Sequence, residues 1–151
     1  MIKKIFFIIL SLNLLNHCDY KPVYSNQNKV NYKIIITSFS GEKDINNLIA
    51  TNLKRYSKES SNEIVDISFN TKYTKSVLAK NSAGSITDYQ IDVVTEFMIK
   101  KQNNSENFLV NENFNFQKMP DKYEEKNYEG NIKKNLANSI SQKLILRLAV
   151  N

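Results

Sequence analysis

Thr87-Asp88-Tyr89-Gln90-Ile91-Asp92-Val93-Val94-Thr95-Glu96-Phe97-Met98-Ile99 is the stretch that decides the fold. Tyr89, Ile91, Val93, Phe97 and Ile99 alternate with Asp88, Gln90, Asp92, Glu96 and Met98. A period of two marks a strand with one dry face and one wet face. Asn81 to Ser85 forms a turn before it, and the polar run Lys100 to Glu106 a turn-like tip after it. The same alternation recurs beyond each turn. Val65, Ile67, Phe69, Thr71, Tyr73, Lys75 and Val77 trace the preceding strand; Phe108, Val110, Phe114 and Phe116 trace the following one, with Asn111 and Asn113 opposite. Three half-buried strands in succession predict an antiparallel meander.

The flanks complete the pattern. Asn31 to Ser38 reads as a strand, with Tyr32, Ile34 and Ile36 on one face, Ile35 on the other, and Ser40-Gly41 as its breaker. Between about Asp44 and Lys58, Ile45, Leu48, Ile49, Leu53 and Tyr56 fall at helical spacing, and Asp44 complements the positive end of the helix dipole. Met119-Pro120-Asp121 closes the meander, and Tyr123 to Gly130 reads as a charged connection. A second helix is expected from about Asn131 to Val150, its stripe being Ile132, Leu136, Ile140, Leu144 and Leu148 with Ala137 and Ile145. The order β-α-β-β-β-α predicts an α+β fold, a two-layer sandwich of a four-stranded, mostly antiparallel sheet with two helices on one face. The other sheet face is left polar or open to a partner.

Upstream of this domain (32–151) the chain changes character. Lys3 and Lys4 precede an apolar run of eleven residues, Ile5 to Leu15. A membrane-spanning helix wants about 20 apolar residues, so this run has the length of an export signal rather than a span. It stops at Leu15-Asn16-His17-Cys18, where the sequence turns polar. Residues 1–17 are expected to be a removable signal peptide, Cys18 the new lipid-bearing N-terminus, and 18–31 a polar tether. Acyl chains on Cys18 would anchor the chain, each buried methylene contributing about 0.8 kcal/mol.

Composition narrows the chemistry. A length of 151 residues suits one domain. The formal charge of +6 includes Lys3 and Lys4, and the excess that remains is mild and without a dense basic run, which argues against nucleic-acid binding. The sole histidine, His17, and the sole cysteine, Cys18, both lie at the processing site. The mature chain would therefore lack the groups for Ser-His or Cys-His nucleophilic catalysis and for the usual zinc sites. Asp88, Asp92 and Glu96 share a strand face, but successive members are about 13 Å apart, wider than the ~5–9.5 Å of a glycosidase pair. No catalytic residue, metal ligand or cofactor is expected beyond the covalent lipid on Cys18.

Three segments carry a family resemblance. Cys18-Asp19-Tyr20-Lys21-Pro22-Val23-Tyr24 resembles the post-lipobox segment of LptE, the lipoprotein partner of the outer-membrane lipopolysaccharide translocon, in its alphaproteobacterial form. Thr87 to Ile99 resembles that family's central strand, and Asn135 to Leu144 its last helix. His17 and Asp19 depart from the small residue and the glycine of the family pattern, and Asp88 from a basic residue. The resemblance implies a non-catalytic outer-membrane lipoprotein on the periplasmic side that assembles with and plugs the LptD β-barrel during lipopolysaccharide transport. It also implies basic contacts to lipopolysaccharide, for which Lys72, Lys75 and Lys80 are the candidates. Lys72 and Lys75, an odd number of residues apart on one strand, are expected on opposite faces. Solvated lysines that deter edge pairing are the plainer account of all three. The competing functional reading is an anchored interaction module of another envelope assembly.

Overall fold

The computed structural model describes residues 30–102 and 104–150. The signal segment, Cys18 and nearly all of the tether lie outside the described residues. Six elements follow one another: β1 (Lys33–Gly41), α1 (Lys43–Tyr56), β2 (Ile64–Lys80), β3 (Ile86–Lys101), β4 (Asn104–Gln117) and α2 (Lys122–Val150). The strands lie in sequence order in one sheet, with β1 parallel to β2 and the other two pairs antiparallel. The parallel pair follows from the intervening helix, which returns the chain to the starting end of β1. The observed architecture is the expected α+β sandwich.

Alternation along each strand sends one set of side chains to the helices. Val65, Ile67 and Phe69 from β2 and Ile91, Val93, Phe97 and Ile99 from β3 are buried. They meet Ile45, Ile49 and Leu53 of α1 and Ile132, Leu136, Ile140 and Leu144 of α2. Two buried threonines, Thr71 and Thr95, face each other across β2 and β3 and share a 3.0 Å hydrogen bond, so these two hydroxyls are satisfied within the core.

β1 runs three residues past its expected end, because a bulge between Ile36 and Ser38 resets its phase. Phe39, out of step with Ile34 and Ile36 in sequence, is thereby brought opposite Phe69 and stacks on it with ring centroids 5.4 Å apart. Gly41 then turns the chain into α1 at φ +90°. A Cβ there would fall 2.0 Å from the Thr71 carbonyl oxygen, so no other residue fits the corner. The β3–β4 turn is tighter than the expected Lys100–Glu106 tip, because the strands pair as far as Lys101 and Asn104.

The largest departure is at α2, which begins at Lys122 rather than near Asn131. The segment read as a charged connection, Tyr123 to Gly130, is helical. Asp121 caps it, its Oδ1 accepting from the backbone N–H of Tyr123 at 2.7 Å and of Glu124 at 2.9 Å. Glu124 and Glu125 in the first turn favour the positive end of the dipole.

Candidate functional site

The helix-free face of the sheet is built from the other phase of the four strands. Its rows run Ser38–Ser68–Met98–Asn107, then Ser40–Asn70–Glu96–Leu109, then Lys72–Val94–Asn111, then Thr74–Asp92–Asn113. Hydroxyls and amides dominate, and charges of either sign are scattered singly. A shallow groove of about 330 Å³ lies at its β1 end, lined by the serines and amides of the first two rows together with Glu96, Met98, Phe39 and Phe69. Such a face offers fixed hydrogen-bond donors and acceptors without a focused field, which suits a polar protein surface better than a charged small ligand.

The structure does not bring the three candidate lysines together. Lys72 is exposed on the open face, opposite Val94. Lys80 is exposed at the last position of β2, beside the Asn81–Ser85 turn. Lys75 points the other way, toward α2, as the odd spacing requires. Its Nζ lies 3.0 Å from Glu125 and 3.0 Å from Glu129, and 4.3 Å from the centroid of the Tyr89 ring.

Lys75 thus joins a half-buried ionic cluster at the α2 N-terminal end of the sandwich. The Tyr73 hydroxyl donates to Glu129 Oε1 at 2.5 Å, and Lys133 reaches Glu42 at 2.7 Å while lying over the Tyr73 ring. Burial pulls the Lys75 ammonium down, but its bonds to Glu125 and Glu129 outweigh that and hold it above the usual lysine value. The Lys75 bond is the main reason Glu125 sits below the ordinary carboxylate value. Burial works against Glu129, yet donation from Tyr73 and Lys75 brings it below that value as well. Burial, reinforced by Glu129 and Glu42, drives the Tyr73 phenol far above its ordinary range. Each ion here meets one of opposite sign within the domain, and Lys75 serves to hold α2 on the sheet.

Asp88, Asp92 and Glu96 do share the open face, opposite Gln117, Asn113 and Leu109 of β4. Gln90 donates to Asp92 at 2.8 Å. Among the described residues no group of three or more His, Cys, Asp or Glu is placed to hold a metal ion. No described helix is long and apolar enough to cross a membrane. The ionic cluster was missed in the sequence because the segment carrying Glu125 and Glu129 was read as a connection. Its signal was present: Pro120-Asp121 followed by Glu124 is a helix start, with Asp at the cap and Glu three residues on.

No family model matches the chain, and no curated protein matches it by sequence. Solved structures share the fold. Rare lipoprotein B from Shewanella oneidensis superposes with a TM-score of 0.53 at 15% identity, covering 73% of this chain and 93% of that one. A candidate lipoprotein from Caulobacter crescentus gives 0.53 at 8% identity over 82% and 90% of the two chains. Lipoprotein B from Nitrosomonas europaea gives 0.50 at 14% identity over 80% and 86%. At these identities the likeness is one of fold.

Proposed function

We propose that this chain is a lipid-anchored protein of the bacterial envelope, tethered through Cys18, which assembles with an LptD-like outer-membrane β-barrel and plugs it during lipopolysaccharide export. The observation that carries the reading is the shared fold: sheet and helices together match structures described as lipoproteins over nine-tenths of their length. The position of Cys18 at the end of an apolar run, and the Pro22 and Tyr24 that follow it, point the same way. Physical support comes from the open sheet face. Barrel lumens are polar, and a plug must meet them with donors and acceptors rather than apolar patches or an unpaired charge cluster. The rows of Ser, Thr, Asn and Gln meet that requirement. The role needs no catalytic group.

Of the basic candidates, this reading assigns a lipopolysaccharide phosphate contact to the exposed Lys72 and Lys80, since the Lys75 ammonium is held between two carboxylates. Purification of the tagged chain from detergent-solubilised envelopes tests the partner. Recovery of a large barrel protein is expected, and recovery of a different envelope complex instead would replace this reading with that of an interaction module. Cys18→Ser is expected to abolish acyl labelling and membrane fractionation. A variant that kept both would remove the anchor from the proposal.

A further inference from the structure

The two edges of the sheet are built differently. β1 is nine residues long, bulged at its centre, and ends in Gly41. The bulge is a feature that keeps an edge strand from pairing with another chain. β4 has no such bulge. It runs fourteen residues, pairs with β3 with no register shift, and has no Lys, Arg, Pro or Gly from Asn104 to Gln117. Its only charges, Glu106 and Glu112, turn toward α2, where Arg147 meets the first at 2.5 Å and Lys143 the second at 2.9 Å. Among the described residues no strand pairs with the outer side of β4. Leu109 is 57% exposed there and Phe114 38%.

We propose that β4 pairs edge to edge with β4 of a second copy, antiparallel about a two-fold axis at Asn111, joining two sheets into one of eight strands. The strand's own pattern selects this occupant. Paired about Asn111, Phe108 opposes Phe114, Asn107 opposes Asn115, and Leu109 opposes Asn113. Glu106 and Glu112 then face Phe116 and Val110, so no like charges meet. Centring on Leu109 would set Glu106 against Glu112, centring on Glu112 would set that residue against itself, and centring on Val110 would break up the Phe108–Phe114 pair. Because the two glutamates are neutralised from α2, the paired edge carries little net charge to repel its twin. An isologous contact of this kind closes on itself and leaves the protected β1 edges outermost. The inference stands independently of the barrel reading, since it concerns a contact between copies of this chain.

Sedimentation of the full chain in mild detergent is expected to show a reversible dimer. In a Cys18→Ser background, Asn111→Cys should form an interchain disulfide on mild oxidation, because facing residues of an antiparallel pair have Cα atoms about 4.5–5.5 Å apart, within disulfide reach. Lys72→Cys, in the middle of the open face, should not. Leu109→Lys with Asn113→Lys places like charges opposite each other twice across the axis and should weaken the dimer about tenfold. Leu109→Lys with Asn113→Glu places opposite charges there and should restore most of the loss. A chain that stays monomeric at every attainable concentration overturns the proposal. So does a dimer that links through Lys72→Cys as readily as through Asn111→Cys, or one that the two double variants weaken equally.

Discussion

The two halves of α2 are held to the same sheet by opposite kinds of force. From Asn131 onward the helix presents Ile132, Leu136, Ile140 and Leu144, all buried, against β2, β3 and α1. Before Gly130 it presents Glu125 and Glu129, which stand one helical turn apart and would repel each other without Lys75 between them. Contact in the C-terminal half is non-directional and tolerant of small shifts, while the N-terminal half, apart from Tyr128 against the Phe116 ring, depends on three charged atoms meeting within hydrogen-bond distance. The difference teaches where this domain is cooperative and where it can open locally. Dry burial ties the C-terminal half to the global unfolding transition; the ionic half can be released while that core remains.

Leu144→Ala should show the strongest contrast. It removes a fully buried side chain from the dry half and should lower stability by about 3 kcal/mol, seen in urea melts as a drop for the whole domain. Lys75→Met should lower it by about 2 kcal/mol, because Glu125 and Glu129 are left half-buried and facing each other. Its signature should be local: amide exchange should quicken over residues 122–129 while the amides of β3 keep their protection. Equal exchange gains in both regions would dissolve the distinction between the halves. Asp121→Ala removes the cap of the ionic half, for about 1 kcal/mol and the same local signature. Gly130→Ala acts at the joint. An added Cβ there meets nothing within 4 Å, so the variant should gain up to about 1 kcal/mol and slow the local opening.

Acidity should loosen the ionic half alone. Glu125 and Glu129 are depressed in the folded chain, so their contribution is present above the ordinary carboxylate pKa and lost as pH falls through their lower folded values. Lys75 and Tyr73 are raised, so theirs is present below their ordinary pKa values and lost only in strong alkali. Exchange over residues 122–129 should therefore be flat from about pH 5 to pH 10 and rise outside that window, after correction for intrinsic exchange rates. In Lys75→Met the acid limb should disappear or reverse, since protonating either glutamate then relieves repulsion.

Legibility in the sequence follows the same division. The meander was plain because Tyr89 to Ile99 carries its phase without interruption, and a half-buried strand has to alternate. The stripe from Ile132 to Leu148 was plain because each member meets the same dry core. Phe39 lay just past the expected end of the strand and had no assigned face, since only the bulge before Ser38 extends β1 and brings it beside Phe69. The first nine residues of α2 were missed because their apolar content is low and their partners, Tyr73 and Lys75, lie about fifty residues back on another element. Lys75 could be assigned to the face opposite Lys72 by counting, yet counting could not tell whether that face held solvent, a ligand or two carboxylates.

By itself, the sequence determined the element order and the buried phase of the three meander strands, and it set the expectation that Cys18 stands apart from the domain behind it. Each of these depends on local periodicity or on the abrupt end of an apolar run, and both are properties of neighbours in the chain. The tertiary structure alone decided the remaining features. It closed the ionic cluster around Lys75, so that a candidate ligand contact became a strut for α2. It also placed β4 at the rim of the sheet with its glutamates already neutralised. Those outcomes depend on which distant groups meet, and a charge takes its role from the charge it faces.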